Sequence, residues 1–159
     1  MRFVAITLFT FCAMEAFAYF AHRYLFHGPL WFLHKSHHAP RKGRFEWNDL
    51  FGLIFVPISM VLMGGWLAPD WLPITFPIGL GMTMYGGVYF FIHDVYTHRR
   101  FLTLNFKNRW LTDMRAAHRS HHSKVDKKGQ EPFGFIVFQT SPKRSDPKTR
   151  ETEQAARQG

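Results

Sequence analysis

Three long apolar blocks leave this chain of 159 residues few ways to fold. Phe3 to Phe20 runs for 18 residues with Glu15 as its only charged side chain, Leu50 to Leu67 for 18 with none, and Leu72 to Ile92 for 21 with none. A helix rises about 1.5 Å per residue, so each block suffices to cross a hydrocarbon core about 30 Å thick. A chain this short cannot wrap three helices that are apolar on every face, which excludes a water-soluble bundle. The mean hydropathy of -0.16 hides the blocks because the polar residues are gathered between and after them. The first block lacks a small-residue cleavage site and runs straight into a histidine-bearing segment, so it reads as a retained span rather than a signal peptide. The expected fold is all-α and integral to a membrane, with about three transmembrane helices and cytoplasmic interfacial helices.

The formal charge of +9 is distributed in a way that fits lipid rather than nucleic acid. Apart from Arg2, every Lys and Arg falls between Arg23 and Arg44 or from Arg99 onward. No stripe of basic residues with aromatic readers is present. Positive charge marks the cytoplasmic side, which predicts a multi-pass inner-membrane protein with its N-terminus outside and its C-terminus cytoplasmic. Cys12, the single cysteine, permits neither a disulfide nor thiolate ligation and reads as a packing residue.

Punctuation residues set the boundaries. Gly28-Pro29 stops the first helix just after His27, and Ala39-Pro40 ends a short helix that begins near Leu30. Between Asn108 and Ser123, Trp110, Leu111, Met114, His118, His121 and His122 share one helical face, predicting an amphipathic helix on the membrane surface. Pro57, Pro73 and Pro77 are expected to bend the spans and are weak evidence for function. One domain over 1–142 is expected, with 143–159 as a disordered tail.

All ten histidines obey a spacing: His22-x4-His27, His34-x2-His37-His38, His93-x4-His98 and His118-x2-His121-His122. Positions i, i+3 and i+4 lie within about 100 degrees of arc, so His34, His37 and His38 can converge on one point, as can His118, His121 and His122. Two such triplets suggest two metal ions. Residues five apart stand about 140 degrees apart on an α-helix. His22 and His27 therefore reach different ions, or the helix unwinds near His27; the same choice applies to His93 and His98. Ten imidazoles would otherwise demand many hydrogen-bond partners, whereas two cations satisfy the ring nitrogens at once. A bis-histidine haem would leave the triplets unexplained.

Imidazole suits zinc, copper, iron and nickel alike, so spacing does not name the metal, and zinc is able to occupy such sites in a purified sample. Asp94, Asn48, Asp49 and Asp113 are the polar residues placed to orient the histidines from behind. Glu15 is expensive inside a span and so functional or paired. It lies on the face of His22 about 10 Å away along the helix, suited to the substrate path or to a hydrogen bond between spans.

The motifs Glu15 to His27 (EAFAYFAHRYLFH), His34-Lys35-Ser36-His37-His38, Glu46-Trp47-Asn48-Asp49-Leu50, His93-Asp94-x3-His98-Arg99-Arg100, Ala117-His118-Arg119-Ser120-His121-His122 and Phe133-Gly134-Phe135 resemble the bacterial beta-carotene hydroxylases. Those enzymes belong to the fatty acid hydroxylase and sterol desaturase group of membrane non-haem di-iron proteins. The resemblance implies that all ten histidines hold two iron ions, and that O2 and electrons from ferredoxin or a similar donor drive the chemistry. It implies hydroxylation of beta-ionone rings, taking beta-carotene through beta-cryptoxanthin to zeaxanthin and extending to canthaxanthin and astaxanthin. The nearest rival is a fatty acid or sterol hydroxylase or desaturase with the same boxes. A zinc-dependent membrane hydrolase is the rival of another class. Oligomeric state is not legible.

Overall fold

The computed structural model describes residues 1–40, 43–66, 68–123, 125–128 and 131–136. Among them there is no strand, and the segment expected to form a tail, 143–159, lies outside them. Helix α1 spans Arg2–Phe20 and continues as a π-helical segment through Ala21–Phe26. After α2 (Trp31–His38), a single 3-10 turn, Trp47–Asp49, leads into α3 (Leu50–Gly64). Another 3-10 turn, Pro69–Trp71, opens α4 (Leu72–Phe90), which again continues as a π-helical segment, Phe91–Thr97. Helix α5 covers Arg109–His121.

Arg2–Phe26, Trp47–Gly64 and Pro69–Thr97 are long and apolar enough to cross a membrane, yet only 11, 6 and 22 % of their most apolar windows are buried. Phe9, Leu53, Ile54 and Val56 point outward. A water-soluble protein of this size does not expose apolar surface on such a scale; a lipid-facing one must.

Helix α4 is central and packs against α1 and α3. Small residues set that approach. A Cβ on Gly81 would meet the Thr7 carbonyl oxygen of α1 at 2.6 Å, and one on Gly79 the Ser59 carbonyl oxygen of α3 at 2.8 Å. Lipid offers no hydrophobic drive for helices to associate, so close backbone contact supplies it. Glycine also ends α3, where Gly65 takes φ 64°, a conformation a Cβ disfavours.

At one end of the three spans lies a polar cap. Helix α1 stops at His27, and α2 ends before Ala39, which is extended (φ -85°, ψ 161°) as a residue preceding proline should be. Both proline-marked boundaries fall where the sequence places them. The Asn108 side chain accepts from Leu111 N and starts α5, whose inner residues Met114 and Ala117 are fully buried. Met114 packs with Ile92 of α4 and Phe135, so α5 and residues 133–136 are docked on the π segment of α4. Arg115 secures this dock, donating to Tyr96 O at 2.6 Å with its guanidinium 3.8 Å from the Tyr96 ring.

Candidate metal centre

The π segments resolve the five-residue histidine spacing. His27 N donates to His22 O at 3.0 Å, and His98 N to His93 O at 2.9 Å. A bond from i+5 to i stacks the two residues on one side, so each pair serves one site instead of two. Of the two arrangements left open by the spacing, the structure shows the altered helix.

The triplets behave oppositely. His34 and His38 join His22, His27 and His121 in one group, whereas His37 joins His93, His98 and His118 in another, each group having its donor nitrogens within 4.8 Å of one another. Convergence of each triplet on a single point, which the spacing allows, is not what the structure shows. On α2, residues i and i+4 are about 40 degrees apart while i+3 diverges to the other side, so a helix lying between two groups supplies both. Helix α5 does the same with His121 and His118. His122 stands between, with ring centroids 4.3 Å from His38 and 4.5 Å from His37.

Hydrogen bonds on the outer ring nitrogens fix the inner ones. His22 Nδ1 lies 2.8 Å from Phe133 O and His34 Nδ1 2.7 Å from Asn48 Oδ1; both oxygens only accept, so both Nδ1 atoms carry the proton. The two Nε2 atoms are then bare lone pairs, yet they face each other at 3.1 Å. His37 repeats the pattern, donating Nδ1–H to Glu46 Oε2 at 2.8 Å while its Nε2 faces His93 Nε2 at 3.0 Å. Further Nε2 pairs are His27–His121 at 3.2 Å, His34–His38 at 3.2 Å and His98–His118 at 2.8 Å. The opposed lone pairs of His22 and His34 repel unless a cation lies between them, and the other pairs share their spacing. Neighbouring imidazoles bound to one ion at about 2.1 Å stand ~3.0–3.4 Å apart, which matches.

Burial keeps these rings neutral. It lowers His34 to about 2, with the His38, His27 and His121 rings adding to the drop against the Asn48 bond. Burial, then neighbouring imidazoles, hold His37, His118 and His122 well below the ordinary histidine value. His122 Nε2 is also buried with no hydrogen-bond partner among the described residues. Neutral rings with inward lone pairs are what a first-row metal ion requires.

A family profile described as fatty acid hydroxylase matches residues 7–140. The chain belongs to the fatty acid hydroxylase family. It is 42 % identical over 132 residues to the beta-carotene hydroxylase of Pseudescherichia vulneris, covering 82 % of this chain and 74 % of that one. It is 40 % identical over 134 residues to the beta-carotene hydroxylase of Paracoccus sp. (strain N81106 / MBIC 01143), covering 82 % and 81 %. It is 42 % identical over 127 residues to the chloroplastic beta-carotene 3-hydroxylase 2 of Arabidopsis thaliana, spanning 78 % of this chain but 41 % of that longer one. No solved structure matches it significantly. The resemblance drawn from the histidine motifs is thus borne out.

In this member of the fatty acid hydroxylase family, the four polar residues expected behind the histidines separate. Asn48 holds His34 directly. Asp94 Oδ2 lies 3.3 Å from His93 Nδ1 without hydrogen-bond alignment. Asp49 acts at one remove, accepting both Arg100 Nη1 at 2.8 Å and Arg100 Nη2 at 2.6 Å. Asp113 sits on the exposed side of α5 and pairs with Arg109 at 3.7 Å. Two partners escaped the sequence reading. Glu46 stood in a quoted motif, and a carboxylate nine residues after His37 was a usable signal. Phe133 contributes a backbone carbonyl, which no side-chain pattern advertises.

Glu15 is buried and spends its carboxylate inside the fold. Oε2 accepts from Tyr85 OH at 2.8 Å, and Oε1 from Phe135 N at 3.0 Å and Ile136 N at 2.7 Å. Of the two roles its position suggested, these bonds supply the link between spans.

Proposed function

We propose that this chain hydroxylates the beta-ionone rings of carotenoids at a di-iron centre held by all ten histidines. Its substrates are beta-carotene and beta-cryptoxanthin, ending at zeaxanthin, with canthaxanthin to astaxanthin as the ketolated counterpart. The observation that carries the metal reading is the pair of bare Nε2 lone pairs of His22 and His34, 3.1 Å apart with both Nδ1 protons committed elsewhere. The names of the relatives carry the substrate.

Bound iron supplies the activation of O2 needed to break an unreactive ring C–H bond, a step no acid or base on the chain performs. The residues do the rest. His22, His27, His34, His38 and His121 surround one position, and His37, His93, His98 and His118 the other, with His122 between the two. Phe133 O, Asn48 and Glu46 hold the ring protons outward so that inward nitrogens stay available. A cleft of about 450 Å³ reaches His37, His38, His98, His118 and His122. Through Ala39, Pro40 and Glu46 it adjoins a second cleft of about 650 Å³ with Phe45, Trp47, Leu50 and Leu53 on its wall. An apolar ring entering from lipid beside α3 would follow that wall to the imidazoles.

The distribution of basic residues supports an orientation with the cap and C-terminus on the cytoplasmic side of the inner membrane. Electrons then come from a soluble donor such as ferredoxin, met by the basic surface. The same chemistry on an acyl chain or sterol is the competing reading, and the relatives' names disfavour it. The test is pigment analysis of beta-carotene-making bacteria expressing the chain, beside a His37→Ala control. Products heavier by one and two oxygen atoms, made only by the intact chain, are expected. Unchanged beta-carotene despite inserted protein and a working donor would overturn the substrate assignment.

A further inference from the structure

The two imidazole groups differ in what stands behind them. In the four-histidine group, His37 donates to the Glu46 carboxylate at 2.8 Å and His93 Nδ1 lies 3.3 Å from Asp94 Oδ2. In the five-histidine group, the acceptors behind His22 and His34 are neutral, a main-chain carbonyl and a side-chain amide. Exposed Asp126 acts on His27 through space. A carboxylate behind an imidazole raises its basicity and its donation to a metal, whereas a neutral acceptor mainly orients it.

One buried cation bonds Asp94 directly and reaches the main chain of Glu46 through Asp49. Arg100 is 7 % exposed, donates to Asp94 Oδ1 at 2.5 Å and to Asp49 at 2.8 and 2.6 Å, and is further tied to Arg44 O. Asp49 Oδ2 in turn accepts from Glu46 N at 2.9 Å. The start of α3 and the π segment of α4 are thereby coupled on the side of the four-histidine group. Arg100 makes no such bond to Phe133 or Asn48 among the described residues.

We infer that the two metal positions are inequivalent, with Glu46 and Asp94, anchored through Arg100, setting the affinity of the four-histidine position for a divalent first-row cation independently of the other. This rests on the two-metal reading above. Glu46 and Asp94 are positioning residues here, acting on the ion through His37 and His93. Asn48 has the matching task for the five-histidine position.

The test is an anaerobic titration of the metal-stripped full chain in detergent with cobalt(II) against a chromophoric chelator, reading the cobalt absorption bands and helix content. Glu46→Gln should weaken one of the two cobalt equivalents about 10–100-fold and shift its bands, with Asp94→Asn weakening the same equivalent by less, each leaving the other within about twofold. Asn48→Ala should do the converse. Equal weakening of both equivalents, or no change in either, overturns the inequivalence while leaving two metals in place. Loss of helix in both carboxylate variants overturns it too, since their task would then be folding. Fewer than two cobalt ions in the unsubstituted chain overturns the two-metal reading itself, and the inference with it, by a distinct signature.

Discussion

The membrane body and the histidine cap place their residues by opposite rules. In the body the outward surface is apolar, with Phe9 76 % and Leu53 66 % exposed, while in the cap polar side chains are buried as deeply as apolar ones, His121 at 0 % and His93 at 2 %. The body needs no apolar interior because lipid is its solvent; it is held where glycines let backbones touch. The cap removes imidazoles from solvent and depends on each nitrogen finding a partner. Burial therefore reports stability in neither region in the usual way. In the body it marks close helix contacts, and in the cap it marks chemistry.

The largest effects should come from removing a cap nitrogen that faces inward. His38→Ala deletes a member of the five-histidine group, and metal analysis of the purified chain should fall from two ions to one, with hydroxylated pigment at background. Retention of both ions would place the metals elsewhere. Next comes Glu15, whose carboxylate joins the two regions. Glu15→Leu removes the acceptor of Tyr85 OH and of the Phe135 and Ile136 amides, at roughly 1–3 kcal/mol for each group left unpaired. Residues 133–136 should detach, releasing the carbonyl that orients His22, so thermal unfolding in detergent and metal content should fall together. A drop in stability with metal content intact would break the link drawn here between body and cap.

The body was legible in the sequence because lipid imposes a length and an absence of charge, and Phe3–Phe20, Leu50–Leu67 and Leu72–Ile92 meet both conditions. The proline-marked ends of α1 and α2 were legible for the same kind of reason, since proline and its neighbour restrict the backbone locally. Membership of the cap was legible from the histidine spacing, but the sorting into groups was not. A spacing of i and i+5 is ambiguous until the helix is known to widen into π form, and nothing in the residues Ala21–Phe26 or Phe91–Thr97 marks that change. The triplets misled for a related reason. Their 100-degree arc is narrow enough for one site, and only the placement of α2 and α5 between two groups shows that it is divided. Arg100 and the Phe133 carbonyl act through contacts far apart in sequence, which spacing cannot reveal.

The smallest effects separate glycines within a single helix of the body. In α4, a Cβ at Gly81 would lie 2.6 Å from Thr7 O and 3.2 Å from Phe11 N, and main-chain atoms of α1 cannot swing aside as a flexible side chain would. Gly81→Ala should force α1 away from α4 at about 1–3 kcal/mol, seen as a lower midpoint in thermal unfolding followed by circular dichroism. Gly86, five residues on, has nothing within 4 Å of its Cβ position. Gly86→Ala should instead leave stability unchanged or raise it by up to about 1 kcal/mol, since no neighbour is displaced and helix propensity alone is gained. If both substitutions cost the same, glycine in α4 serves flexibility rather than contact, and the account of how the body is held together fails while the account of the cap stands.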